Sequence, residues 1–148
     1  MERRIAVRGL IMNDSKLLCV KLNDNSILAE DTYCVPGGGL DPNEDLKSGV
    51  KRELKEELGV DAVVGRLLFI QQYLRKDGVE DMEFFFHIIN SKDFVDINLS
   101  DTTHGDLEIS QTEFVNPLTS KILPKFITEV NIEQAIKQNF PVQIFNYL

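Results

Sequence analysis

PGGGLDPNEDLKSGVKRELKEELGV, residues 36–60, reads as a glycine-rich turn, a helix of about four turns and a glycine stop. Asp41 is placed to act as N-cap, Pro42 takes the first helical position, and Glu44, three after the cap, completes a capping box. Gly59 follows Leu58, where a left-handed residue ends a helix. Leu46, Val50, Leu54 and Leu58 recur every four residues, so one stripe can pack on a core.

Beside that stripe stand Glu53, Glu56 and Glu57, at i, i+3 and i+4, on adjoining positions of one face. Like charges this close repel by a few tenths of a kcal/mol per exposed pair, and by more when desolvated. A hard divalent cation relieves the repulsion, because Mg²⁺ or Mn²⁺ takes oxygen ligands and keeps waters or binds phosphate oxygens. Arg52 can fix one carboxylate through a bidentate pair. Gly37, Gly38 and Gly39 carry no side chains, so a backbone carbonyl can join a metal site there, or the backbone can approach a phosphate. Lys47, Lys51 and Lys55 interleave with the acids, and residues 52–57 taken alone also fit a solvated charged face.

The full constellation is more specific. Gly38, then Glu44 after five residues, then after seven more Arg52-Glu53-Leu54-x-Glu56-Glu57-x-Gly59-Val60 match the Nudix box at every specified position. The chain therefore resembles the Nudix hydrolase superfamily and its MutT-like members. The resemblance implies an α/β fold, an α/β/α sandwich with a mixed sheet in which the box forms a loop-helix-loop, spanning residues 1–148 as one domain. It also implies Mg²⁺-dependent hydrolysis, with Mn²⁺ as a substitute, of a nucleoside diphosphate linked to another moiety. By position, Glu56 and Glu57 resemble the principal metal ligands, Glu53 a further ligand or the base, and the Gly38 carbonyl the backbone ligand. Arg52 resembles the residue that orients a catalytic glutamate, and Glu44 a mainly structural one. Gly37 and Gly39 become candidates for substrate contact, as does Tyr33 just before the turn. Glu108 falls where many family members keep an additional metal-binding or base glutamate, with Asp106 and Glu113 as competitors. The alternative is a catalytically silent Nudix-fold sensor of a nucleotide or ADP-ribose. Such modules often lose box carboxylates, and here all are retained.

Composition bounds the remaining choices. A chain of 148 residues with 43% apolar and 27% charged content suits one soluble domain with a single core. No apolar run approaches the roughly 20 residues of a membrane span, and the opening MERRIAVRG lacks the apolar region of a signal peptide. Cys19 and Cys34 read as buried thiols of a reducing cytoplasm, which sets the expected location. A net charge of −8 and a pI near 4.7 argue against a nucleic-acid polymer as partner. A small nucleotide is still allowed, because bound cations invert the local charge.

Around the box, residues 4–12 and 16–22 read as a hairpin through Asn13-Asp14-Ser15, residues 23–31 as a polar loop, and 32–35 as a short strand. Residues 62–75 form a long strand interrupted at Gly65, Lys76-Asp77-Gly78 a hairpin turn, and 83–89 a central strand. Residues 91–106 form a polar loop with one short strand at 94–97, followed by a strand at 113–116. Residues 118–140 are expected to be mostly helical, broken at Pro124, and 142–147 an edge strand or a dimer-contacting tail. His87 reads as a packed histidine and His104 as a solvated one. Arg4, Arg8, Arg66 and Arg75 are candidate phosphate or partner contacts, with a plain surface role as the alternative for each. Substrate marks beyond the box are missing at their usual offsets. The proline of ADP-ribose pyrophosphatases would fall near Arg75 or Lys76, and the tyrosine of the diadenosine polyphosphate group near Asp77.

Overall fold

The computed structural model describes residues 2–22, 32–102 and 109–148. Two mixed sheets face one another. The first runs β10 (Gln143–Tyr147), β6 (Val64–Leu74), β7 (Glu80–Ile88), β1 (Arg3–Leu10) and β5 (Gly37–Gly39). The second runs β2 (Met12–Asn13), β3 (Lys16–Leu22), β4 (Thr32–Cys34) and β9 (Lys121–Leu123), with β8 (Ile109–Val115) also on β3. Among the described residues two α-helices, α1 (Leu46–Leu58) and α2 (Ile132–Lys137), flank the sheets. Among the described residues no helix is long and apolar enough to cross a membrane.

The expected stripe is what seats α1. Val50, Leu54 and Leu58 are buried against Val7, Phe86 and Ile88 on one face of the first sheet. Each such burial stabilises the fold by roughly 1.5–3 kcal/mol. The opposite face, with Leu10, Phe69 and Phe85, packs on Leu17, Cys19 and Val35 of the second sheet and its flanks. Phe126 fills the gap there, edge-on to Phe69 and Phe85 and stacked on Phe145.

Several expectations hold. Gly59 ends α1 at φ 75°, its N–H bonded to Lys55 O. Gly78 closes the β6–β7 turn at φ 87°, and β7 is central, parallel to β1 and antiparallel to β6. The β6–β7 register slips between Val64 and Phe69, beside Gly65, as a bulge would.

Others are corrected. The capping box does not start the helix: Asn43 turns left-handed at φ 62°, and Asp45 caps α1 by accepting from Ser48 N–H at 2.9 Å. The Asp41–Glu44 bonds survive as a local turn, because asparagine tolerates that backbone conformation. The opening hairpin is only two residues deep, since β1 is buried on both faces and joins the first sheet, leaving Met12–Asn13 to pair back onto β3. Residues 91–94 form a 3-10 turn that inserts Phe94 into the core, in place of a strand at 94–97. Within 118–140 only α2 is α-helical. Lys121–Leu123 pairs parallel to β4, placing Ile122 in the core, and Lys125–Thr128 is a 3-10 turn after Pro124. Of residues 142–147, Gln143–Tyr147 do form an edge strand, parallel to β6. The predicted loop 23–31 lies outside the described residues.

Candidate active site

The turn and helix of residues 36–59 converge on one guanidinium. Arg52 holds Glu44 by a bidentate pair at 2.7 and 2.9 Å, Glu53 at 3.0 Å, Glu56 at 3.2 Å and the Gly39 carbonyl at 3.0 Å. Glu44 hydrogen bonds, then those of Glu53, raise the Arg52 pKa above its ordinary value against the cost of burial. Arg52 in turn holds the Glu44 carboxyl below the usual range. Glu44 is thus the structural member, freed for that pairing by the delayed start of α1.

The glycines fix the opposite wall. Gly37 adopts φ 146°, and a Cβ there would lie 2.1 Å from the Val7 carbonyl, so only glycine fits. Its N–H donates to Glu57 Oε2 at 3.3 Å, and Glu57 is buried to 8% exposure. At Gly38 a Cβ would stand 2.5 Å from Glu53 Oε2, so the Glu53 carboxylate lies against the bare backbone. Gly39 is lined by the Arg4 guanidinium.

Glu53, Glu56 and Glu57 with the Gly38 carbonyl form an all-oxygen donor set, the chemistry Mg²⁺ or Mn²⁺ takes. The Glu53 carboxylate occupies the space a Cβ at Gly38 would fill, so it lies directly against that backbone. Among the described residues no three acids already converge on one point; the acids are arranged about the Arg52 guanidinium instead.

A cavity of about 360 Å³ opens between the sheets, walled by Arg8, Val35, Gln71, Tyr73, Glu83 and Tyr147 among others. Arg8 joins it to the acid cluster, because its Cα pairs with Gly37 in the β1–β5 ladder. Burial works against the Arg8 charge, but Glu83, bonded to Arg8 Nε, and Glu57 beyond it keep its pKa above the ordinary value. Arg8 Nη1 also donates to Val35 O at 3.0 Å. Burial, then a bond to Asp81, raises the Tyr73 phenol.

Of the residues the sequence singled out, Arg52, Glu53, Glu56, Glu57, Gly37, Gly38 and Gly39 are brought together. Tyr33 is placed elsewhere: its hydroxyl donates to Glu113 at 2.5 Å and Lys21 lies over its ring at 4.8 Å, while its neighbours Cys34 and Val35 reach the cavity. That bond and one from Gln111 engage Glu113 on the second sheet. Glu108, Asp106 and His104 lie outside the described residues. Arg66 closes the end of α2 through the Ala135 and Phe140 carbonyls, and Arg75 pairs with Asp77. Burial, then Arg66, lowers the pKa of His87, which joins no site. The Arg8–Glu83–Gln71 chain went unread, because its members are far apart in sequence and share no motif.

The architecture defines a class of protein, two mixed sheets with a loop-helix-loop that gathers the acids about one arginine. A profile of the NUDIX domain matches residues 2–125, and the chain belongs to the Nudix hydrolase family. Nucleoside triphosphatase NudI of Salmonella arizonae is 37% identical over 59 residues, which cover 40% of this chain and 42% of NudI. The chain thus matches less than half the length of such curated relatives. The Escherichia coli ORF135 protein superposes with a TM-score of 0.71 at 20% identity, over 95% of both chains. The MutT protein of Methanosarcina mazei Go1 gives 0.68 at 24%, over 95% of this chain and 97% of that one. An ADP-ribose pyrophosphatase of Streptococcus suis gives 0.59 at 17%, over 95% and 98%. At these identities the likeness to the solved structures is one of fold.

Proposed function

We propose that this chain hydrolyses a phosphoanhydride bond in a nucleoside diphosphate linked to another group, such as ADP-ribose, a nucleotide sugar or a nucleoside triphosphate. The observation that carries the reading is the Arg52 hub, which gathers Glu53 and Glu56 beside a bare glycine turn whose Gly37 pairs with Arg8, a wall of the inter-sheet cavity. Names among the relatives point the same way, since they include a nucleoside triphosphatase, a UDP-X diphosphatase and an ADP-ribose pyrophosphatase.

Glu53, Glu56, Glu57 and the Gly38 carbonyl would hold Mg²⁺, or Mn²⁺ in its place. Such a cation lowers the pKa of bound water and neutralises the diphosphate. The chain's own residues supply position. Arg52 fixes Glu53 and Glu56 by charge-assisted bonds, which keep the two carboxylates close to one another on the helix face. Glu53, as a ligand or as the base that takes the proton of the attacking water, is held against the bare backbone of Gly38. Arg4, beside Gly39, is a second cation on the phosphate path. The cavity takes the nucleoside.

The test is phosphate-product release from a mixed panel with Mg²⁺, with and without chelator. The panel holds ADP-ribose, nucleotide sugars, ordinary and oxidised nucleoside triphosphates and dinucleoside polyphosphates. Chelator-sensitive cleavage of any member, lost in Glu56→Gln, supports the reading. Silence throughout, with metal-dependent binding retained, overturns it in favour of a sensor.

A further inference from the structure

The polar floor of the inter-sheet cavity is a chain of committed groups with one left over. Glu83 is 3% exposed and has both oxygens engaged, one by Arg8 Nε and the other by Gln71 Nε2 at 2.9 Å. A carboxylate paired with a guanidinium offers only lone pairs, so Gln71 can meet it only through its amide N–H. This fixes the orientation of the amide. Gln71 is itself 3% exposed, and its Oε1 accepts no hydrogen bond from any described residue. Nor is that oxygen sealed, since among the described residues only the side-chain atoms Thr32 Oγ1 and Asp81 Oδ1 are fully enclosed without a hydrogen-bond partner. Gln71 lines the cavity, so Oε1 is a recessed acceptor at its floor. The walls beside it are Tyr73 and Tyr147, register neighbours on β6 and β10, with Val35 and Pro124 opposite. Aromatic and apolar walls around about 360 Å³ suit a flat heterocycle.

We propose that Gln71 Oε1 selects the base, accepting from an exocyclic amino group and favouring cytosine or adenine nucleotides over uracil or hypoxanthine ones. This rests on the reading of the cavity as the nucleoside pocket. Every base carries some N–H, but geometry separates them. An exocyclic amine projects beyond its ring and reaches a recessed acceptor. The ring N–H of uracil lies between two carbonyls, and that of hypoxanthine beside one. Bringing either to Oε1 drives a carbonyl oxygen toward Oε1 and the Glu83 carboxylate behind it. A site built to bond a donor penalises the analogue that replaces it, because its own polar group is then left unpaired.

The test is calorimetric binding of CMP against UMP, and AMP against IMP, in Mg²⁺. Monophosphates carry no anhydride bond, so binding is read without turnover. The expected result is at least about tenfold tighter binding of the amino member of each pair, falling to less than about twofold in Gln71→Met. Equal affinity within either pair for the native chain overturns the proposal, whatever the variant does. So does absence of binding by all four, or undiminished discrimination in a folded Gln71→Met. Each of these leaves the hydrolase reading standing if chelator-sensitive cleavage is seen on the substrate panel. Silence on that panel refutes the hydrolase without touching base selection.

Discussion

Gly38→Ala isolates Glu53 without altering any acid. The new methyl carbon would lie 2.5 Å from Glu53 Oε2, 2.6 Å from its Cδ and 2.8 Å from Oε1. An ordinary contact needs about 3.5 Å, so something must retreat by about 1 Å. The obstruction is the end of a flexible side chain, and Gly38 is not among the glycines with positive φ, so the backbone accepts alanine. The carboxylate therefore moves and the fold stays. Replacing glycine at a compatible backbone position contributes about 0.4–1 kcal/mol through the unfolded chain. That offsets part of the side-chain strain and leaves Tm within about 4 °C of the parent. Displacing a catalytic group by about 1 Å costs on the order of 100-fold in rate. The assay is kcat on whichever panel substrate is cleaved, beside a thermal melt. Glu53→Gln and the double variant complete a cycle in which the two changes should be strongly non-additive, because both act through one carboxylate. Retention of more than half the native kcat in Gly38→Ala, or full additivity in the cycle, would refute this account of Glu53.

Gly37→Ala should behave oppositely, losing folded protein, because its Cβ would strike the Val7 carbonyl at φ 146°; a native-like melt would contradict this. Glu44 gives a pH signature. Arg52 holds its carboxyl below the ordinary value of 4.5, so the stabilisation is complete above that pH and is lost as pH falls through the depressed value. The Tm gap between the native chain and Glu44→Gln should be constant near neutrality and close in acid, and a gap unchanged at acid pH counts against the pairing. Burial pushes the Cys19 thiol up to about 12, so at pH near 8 iodoacetamide should spare it in the native protein and modify it after denaturation. Mass spectrometry of the alkylated peptides decides this, and native labelling at the denatured rate would refute it.

What could be read in the sequence was local. The glycine stop, the apolar stripe of α1, the Gly78 turn and the central β7 each depend on residues within a few positions, and each is found. So does the cluster around Arg52, whose members share one helix and the turn before it. The cap at Asp41 failed for an equally local reason, the left-handed Asn43, which the capping pattern does not register. The rest depended on pairing at a distance. Lys121–Leu123 is a strand because β4 has a free edge to receive it, and β1 leaves its hairpin because β7 lies 70 or more positions away to accept it. The cavity floor combines residues 8, 71 and 83 from three strands, a combination visible only once register is known.

The chain passes between the sheets twice on very short tethers. Ile11 alone separates β1 from β2, and Val35–Pro36 alone separates β4 from β5. Both crossings are buried, Ile11 at 0% and Val35 at 1% exposure. Neither sheet can swing away from the other without breaking its own ladder at a crossing. The two sheets are therefore one cooperative unit, and their slowest amide hydrogens should exchange together, through global opening. The spacing of the cleft is then set by covalent connection as much as by packing, so a ligand must fit a gap of fixed width instead of closing one around itself.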